Sequence, residues 1–118
     1  MRIWTAQFGY DGQDRVDITR GSAAGVRAFA PSWKLVSGVK DGSLSWGRYT
    51  ELYLEEMRVS WIDQRKWWAR LLRMPSVTLV CYCKFTPEHQ CHRFLLADIL
   101  VQIQQRYGVP VERMGERP

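Results

Sequence analysis

The carboxyl-terminal half of the chain contains the pattern that most restricts the fold. Residues 77–83, VTLVCYC, form a near-continuous apolar run, which is typical of a strand buried on both faces of a parallel sheet. A long amphipathic segment follows and ends near Tyr107, where Gly108 supplies a helix stop, and residues 109–114, VPVERM, then have the character of a strand. A helix between two strands predicts a right-handed crossover with parallel pairing. The chain is therefore expected to fold as an α/β domain.

The other elements are predicted from residue type and periodicity. The strands and irregular segments expected are, in chain order, a strand at 2–8, a strand at 15–20, a loop at 21–33, a loop at 41–47 and a frayed tail at 115–118. The expected helices begin at Ser45 or Arg48, at an N-cap of Ser60 or Asp63 with residues 61–74 following, and at Thr86-Pro87. Together they predict a single three-layer α/β domain over residues 1–118, with a small, mostly parallel sheet and flanking helices.

Composition narrows the class of protein. The 118 residues are enough for one domain, and a hydrophobic content of 46% is that of a globular chain. No apolar run approaches the roughly 20 residues that a membrane helix needs, and the N-terminus, MRIWTAQFGYDG, lacks the apolar core of a secretory signal. A cytoplasmic protein with no membrane partner is therefore expected. The net charge of +5 favours anionic partners, either small molecules or nucleic acid.

All three cysteines and both histidines lie within residues 81–92. In a cytoplasmic protein such a group favours free thiols, a metal site or catalysis over a disulfide framework. Ligands of open α/β sheets bind outside the carboxyl ends of the strands, where Cys81 and Cys83 end the apolar strand. Asp17 and Arg20 stand at the matching end of the second strand, if the two strands are parallel neighbours.

The last helix is expected to direct further residues to the same place. At about 100° per residue, one apolar arc of this helix contains Leu95, Leu96, Ile99, Leu100 and Ile103. His92 falls in the middle of that arc and His89 near its edge, whereas Cys91 and Arg93 flank it on opposite sides. An imidazole is therefore predicted to lie between the helix and the strand ends that carry the thiols.

Four interpretations of this cluster stay open at the level of sequence. Buried cysteine and histidine can simply be core residues. A zinc site is the second, because the cluster offers more than four soft ligands. Its spacing is not that of a standard finger or knuckle, so no metal is favoured. If zinc is present, the expected ligands are Cys81, Cys83, His89 and Cys91.

The two remaining interpretations are chemical. An anion site would use the first turn of the helix together with Arg93 and Arg20. Covalent or acid–base catalysis would use a thiol beside His92, with Asp17 to orient a histidine or to act as a base. The basic and aromatic residues 61–73 could stack on single-stranded nucleic acid, but a helix with Trp in the core and cations in solvent gives the same string.

The segment TLVCYCKFTPEHQCHRFLLADIL resembles the signature of the domain of unknown function 488 (DUF488) family, in which a strand ending in Cys leads through P-E-x-C-H-R-x-L-L-A into a helix. Cys91, His92 and Arg93 match its central triplet. VDITRGS resembles the family's early Asp-x-Arg element, and FAPSWKL followed by WGRYTELYLEEM is similar to its later loop and helix. Cys83 stands where family members commonly carry an acidic residue, and Gln90 looks like an insertion. The resemblance implies an α/β fold and an enzyme, but no particular reaction.

We therefore expect a small cytoplasmic enzyme that acts on an anionic substrate, a nucleotide or a nucleic-acid component. The residues expected to carry catalysis are Asp17, Cys81, Cys83, Cys91 and His92; those expected to bind substrate are Arg20, Arg93 and Trp33. No cofactor is favoured, and zinc is the one that the residues would accept. Substitution of Arg93 is expected to abolish activity with little loss of stability. The alternative is a non-catalytic nucleic-acid-binding module stabilised by a Cys/His zinc site.

Overall fold

A sheet of four strands lies at the centre of the computed structural model, which describes residues 1–82 and 91–117. The strands are β1 (Arg2–Gln7), β2 (Arg15–Asp17), β3 (Ser76–Cys81) and β4 (Glu112–Glu116), in the spatial order β2-β3-β1-β4. Each neighbouring pair of these strands is parallel. Because β3 has a strand on either side, it is buried from Val77 to Cys81, as the apolar run predicts. The α/β fold with a parallel sheet is thus confirmed.

Four helices complete the described part of the chain: α1 (Trp33–Lys40), α2 (Trp46–Asp63), α3 (Arg65–Leu72) and α4 (His92–Arg106). Helix α4 packs against β1, β3 and β4, and α2 packs against α4. One apolar core joins these helices to Ile3, Val77 and Leu79 of the sheet. Among the helices of residues 1–82 and 91–117, none is both long and apolar enough to cross a membrane.

The predicted helix boundaries between residues 33 and 75 need correction. Ser45 caps α2 as predicted, since its hydroxyl oxygen accepts the Arg48 N–H at 3.1 Å. Ser60 and Asp63 do not cap a second helix, because α2 continues to Asp63 and α3 begins after Gln64. Helix α1 was not predicted; it occupies the whole segment between the two expected loops.

Strand β2 is shorter than the predicted strand at 15–20, because the chain folds back on itself directly after it. The Val26 N–H donates to the Asp17 carbonyl oxygen at 2.8 Å. Gly25 packs so closely on this turn that a Cβ there would lie 2.1 Å from the Thr19 carbonyl oxygen. Only glycine fits this close approach, so Gly25 allows the chain to fold back against Thr19 at the carboxyl end of the sheet.

The last helix of the described residues begins at His92. Cys91 is extended, with φ −144° and ψ 148°, and His92 is the first helical residue. The expected start at Thr86-Pro87 falls on residues 83–90, which lie outside the described part of the chain together with Cys83 and His89.

Strand β4 is displaced towards the C-terminus relative to the prediction at 109–114, and residues 115–116 are part of it rather than a frayed tail. Its pairing with β1 skips Met114, and the next residue, Gly115, has a φ of 99° that favours glycine. Arg117 also remains tied to the sheet, because its N–H donates to the Thr5 carbonyl oxygen at 2.7 Å. Residues 112–117 therefore form part of the sheet.

Asp14 connects the loop after β1 to the sheet. Its Oδ2 accepts hydrogen bonds from the Ser76 hydroxyl at 2.7 Å and the Thr78 hydroxyl at 2.9 Å, and its Oδ1 accepts from the Tyr10 hydroxyl at 2.6 Å. Burial opposes ionisation of this carboxyl, but these hydrogen bonds and the charge of Arg117 outweigh burial and lower the pKa of Asp14.

Replacing Asp14 with alanine is expected to lower the free energy of unfolding by about 2 kcal/mol at pH 7, because three partly buried hydroxyl donors lose their acceptor. The exposed Asp11 in the same loop is the control, and Asp11→Ala should change stability by less than about 0.5 kcal/mol. A carboxyl with a lowered pKa stabilises the fold at neutral pH and loses that effect as the pH falls through its folded pKa. Urea unfolding at pH 7 and at acid pH should therefore show the Asp14→Ala deficit shrinking with acidity; a deficit independent of pH would contradict the assignment.

Candidate functional site

A cleft of about 610 Å³ opens at the carboxyl end of the sheet, which is where the sequence places the site. Cys81, Cys91 and His92 line its base. Its aromatic and cationic lining residues are Trp33, Trp46, Tyr49, Tyr82, Arg20 and Lys40. These residues come from the end of β2, from α1, from the start of α2, and from the junctions of β3 and α4. A cavity of this size accommodates a ligand as large as a mononucleotide.

The two buried cysteines face each other across the base of the cleft. Cys81 is the last residue of β3, and Cys91 directly precedes α4. Their Sγ atoms are in direct contact, while their Cα atoms are 8.0 Å apart. The strand and the helix therefore bring together two thiols that are ten residues apart in sequence. The sequence predicted instead that Cys81 and Cys83 share this edge, and Cys83 lies outside the described residues.

The imidazole of His92 is fixed between the thiols and β2. Its Nε2 lies 2.7 Å from the Ile18 carbonyl oxygen, and its Nδ1 lies 3.7 Å from the Cys91 Sγ. Because a carbonyl only accepts, Nε2 must carry the proton, and the lone pair of Nδ1 then faces the sulfur. Burial lowers the pKa of His92 to about 4, with a smaller lowering by Arg93 and opposition from the Ile18 hydrogen bond and Asp17. The imidazole is neutral at pH 7.

Arg93 lies in the core rather than at the flank of the helix. It is 0% exposed, and its Nη1 donates to the Cys81 Sγ at 3.2 Å. Its Nη2 donates to the Glu116 Oε1 at 2.9 Å, and the Thr5 hydroxyl also donates to Glu116. The predicted position flanking the apolar arc is wrong, because Glu116 of β4 supplies a counter-charge that lets the guanidinium be buried. Arg93 thus contacts the site through the Cys81 sulfur.

The buried arc of α4 is rotated relative to the predicted one. Its buried members are His92, Arg93, Leu96, Ala97, Leu100 and Gln104, whereas Leu95, Ile99 and Ile103 are only half-buried. The apolar residues of this helix cover more than one face, so periodicity alone did not fix which face packs on the sheet.

The end of β2 carries an unusual set of polar groups. Asp17 is buried, and its Oδ1 accepts the Thr19 N–H at 2.9 Å. Within residues 1–82 and 91–117, Asp17 Oδ2, Thr19 Oγ1 and Arg20 Nε are buried without a hydrogen-bond partner. Buried polar atoms are rarely left unpaired, and Thr19 and Arg20 line the cleft. A bound ligand would supply such partners.

Trp33 lines the cleft as well and is 54% exposed. The sequence did not single out Thr19, Lys40, Trp46, Tyr49 or Tyr82 as site residues. Lys40 was missed because α1 was not predicted, and Trp46 and Tyr49 because helical periodicity alone resembles that of a core face. Of the predicted site residues, Cys83 and His89 lie outside the described residues, and the others gather around the cleft and its base.

Among the residues that the structure describes, Cys81, Cys91 and His92 form a group that could hold a metal ion. Their candidate ligand atoms all lie within 4.8 Å of one another, and all three residues are buried. This set overlaps the ligands expected from sequence and adds His92 to them.

A protein-family model described as the active DUF488-N3 subclade matches residues 1–104 of the chain. The match runs from β1 into α4 and stops before β4. No curated protein and no solved structure matches the chain.

Proposed function

The chain belongs to the DUF488 family, and from this membership we propose that it is a small enzyme with its reactive centre at Cys81, Cys91 and His92. Its substrate is an anionic, nucleotide-like molecule that binds in the cleft above them. The observation that carries the proposal is the convergence of two buried thiols and a neutral imidazole at the base of an aromatic and cationic cleft. The description of the matching subclade as active agrees with an enzyme.

Proton movement begins at the pair formed by Cys91 and His92. The Ile18 carbonyl holds the imidazole so that Nδ1 faces the Cys91 sulfur, 3.7 Å away, and can accept its proton. Arg93 donates to the Cys81 sulfur, which stabilises negative charge there. The Arg93 hydrogen bond favours a thiolate at Cys81, the form in which cysteine acts as a nucleophile or a metal ligand, whereas His92 Nδ1 offers the Cys91 thiol a hydrogen-bond acceptor.

The walls of the cleft support a nucleotide-like substrate. Trp33 is exposed at the rim, and the rings of Trp46 and Tyr49 stack on each other at 5.0 Å between centroids. Such aromatic surfaces bind nucleobases by stacking. Arg20 and Lys40 line the same cleft and would face a phosphate group. The unpaired Nε of Arg20 is the donor best placed for this role.

The alternative from sequence, a nucleic-acid-binding module braced by zinc, receives less support. A module that needs a metal to fold has too small a core of its own. Here the helices and the sheet share a continuous core that extends from the Cys/His group, where the rings of Tyr53 and His92 are 5.6 Å apart between centroids, to Phe29 and Trp68. The fold is therefore expected to persist without any metal.

Substrate binding can be tested by thermal shift and calorimetry with nucleoside monophosphates, nucleosides and inorganic phosphate. We expect nucleoside monophosphates to bind best, because they use the aromatic walls and the cations together. Arg20→Ala should weaken their binding at least tenfold, whereas Arg58→Ala, an exposed cation on α2 away from the cleft, should leave it unchanged. Equal effects of the two variants, or binding of none of these ligands, would contradict the proposed substrate class.

Catalysis can be tested by incubating the protein with nucleotides and oligonucleotides and following products by mass spectrometry. Cys91→Ser and His92→Gln should each lower turnover by about a hundredfold or more, because the thiolate and its proton acceptor act together. The exposed Ser43→Ala variant serves as the control and should retain full turnover. Turnover that survives both site substitutions would place the reactive centre elsewhere.

A further inference from the structure

The group at the base of the cleft has the composition of a zinc site. Cysteine sulfur and histidine nitrogen are the ligand atoms typical of zinc sites in proteins. Here they are Cys81 Sγ, Cys91 Sγ and a nitrogen of His92, within 4.8 Å of one another and buried. The ligand set expected from sequence did not include His92, although His92 was expected to face the strand ends.

The orientation of His92 is that of a metal-binding histidine whose other ring nitrogen is hydrogen-bonded to the protein. A metal-bound histidine usually donates its other ring N–H to a carbonyl or carboxylate, which fixes the ring and its tautomer. The Nε2 of His92 lies 2.7 Å from the Ile18 carbonyl oxygen, so Nδ1 is the free nitrogen, and it faces the Cys91 sulfur. The ring therefore presents its unprotonated nitrogen to the Cys91 thiol.

The backbone separation of the cysteines favours zinc over a disulfide, and zinc binding would move apart the two Sγ atoms that are now in direct contact. Disulfides join residues whose Cα atoms are about 4.4–6.8 Å apart. The Cα atoms of Cys81 and Cys91 are 8.0 Å apart although their side chains point at each other. Two thiolates that each bind zinc at about 2.3 Å bridge a wider gap than a covalent bond does.

The charges around the group balance with a divalent cation. Two thiolates neutralise Zn²⁺, and their protons leave to solvent on binding. The neighbouring Arg93 is neutralised by Glu116 at 2.9 Å, and its Nη1 donates to the Cys81 sulfur at 3.2 Å. A hydrogen bond that a neighbouring residue donates to a metal ligand orients that ligand and changes the affinity and reactivity of the metal.

Resting on the proposed function, we propose that Cys81, Cys91 and His92 Nδ1 bind one zinc ion whose fourth position opens into the cleft. All three residues line the cleft, so a water molecule or a substrate atom can reach that position. Three protein ligands and one open position are the arrangement of catalytic zinc, whereas structural zinc has four protein ligands. A zinc ion held there would polarise a bound water molecule or a substrate oxygen in the cleft.

The test begins with the intact protein purified without chelator, in which elemental analysis is expected to give one zinc per chain. Cobalt chloride added to the metal-depleted protein should produce the thiolate-to-cobalt absorption of a tetrahedral site. Cys81→Ser, Cys91→Ser and His92→Gln should each weaken zinc binding at least a hundredfold in competition with a chromophoric chelator. Cys83→Ser is the matched control and should retain zinc.

Each contrary result has a distinct meaning. Loss of zinc in Cys83→Ser to the same degree would overturn this ligand set. Metal-free protein with rapid alkylation of Cys81 or Cys91, or with both thiols oxidised, would overturn the zinc site but leave the proposed substrate testable. Unfolding upon chelation, followed by circular dichroism, would make the zinc structural and overturn the open position. Zinc bound as expected, with no nucleotide affinity, would refute the proposed function alone.

Discussion

Trp68→Ala is expected to lower the free energy of unfolding by about 4 kcal/mol, whereas the adjacent Trp67→Ala should lower it by less than about 1 kcal/mol. The Trp68 side chain is 1% exposed, and its ring meets those of Phe29 and Trp61 edge-on, at 4.9 and 5.4 Å between centroids. Its Nε1–H donates to the Ser60 hydroxyl at 2.9 Å. Trp67 is 40% exposed and lies against Arg70 at the surface.

The same substitution is expected to disturb the cleft. The Ser60 hydroxyl donates to the Ala28 carbonyl oxygen, and the Tyr53 hydroxyl donates to the Phe29 carbonyl oxygen at 2.8 Å. These bonds hold the segment that leads through Pro31 to Trp33, both of which line the cleft. Nucleoside monophosphate affinity should therefore fall in Trp68→Ala under conditions where the variant is still folded.

Urea unfolding and calorimetry on the two tryptophan variants provide the measurement. The pair is well matched, because the residues are neighbours in one helix and differ mainly in burial. Similar stability losses in both variants would show that α3 is rotated from its position in the structure. A stability loss in Trp68→Ala with unchanged nucleotide affinity would show that the packing of Trp68 does not influence the shape of the cleft.

Glu116→Ala should lower the free energy of unfolding by about 3 kcal/mol, because it leaves the buried Arg93 without its counter-charge. The expected loss is at the lower end for a buried pair, since the Glu116 side chain is 16% exposed. Glu112→Ala on the same strand is the control and should change stability by less than about 0.5 kcal/mol, because Glu112 is exposed. Arg93→Ala should be similarly destabilising, contrary to the expectation from sequence.

A double variant makes this prediction sharper. Arg93→Met with Glu116→Leu removes both charges and keeps the volume apolar, so it should be more stable than Glu116→Ala alone. Thermal unfolding of all four variants gives the comparison. If Glu112→Ala and Glu116→Ala lose the same stability, or if the double variant is the least stable of the set, the buried ion pair does not hold the C-terminal strand in the way described.

Local patterns were enough to predict much of the sheet and part of the site. The apolar run before Cys81 and the helix that ends at Gly108 indicated a parallel crossover, and the structure contains one. A strand that ends in cysteine and a helix with His92 in its first two turns then had to meet at one edge of the sheet. Elements whose signals are weak, such as α1 and the short β2, were missed or given wrong ends.

The sequence by itself determined that thiols and an imidazole meet at the carboxyl end of a parallel sheet, because strand and helix periods are local properties of the chain. The tertiary structure alone decided the burial of Arg93 and the identity of its partner. Glu116 is 23 residues further along and beyond the segment that the family model matches, and it reaches Arg93 because β4 pairs with β1 across a bulge at Gly115. A charged side chain is buried at low cost only where another charge neutralises it. The local pattern around Arg93 does not show that this partner is supplied by a strand 23 residues further along.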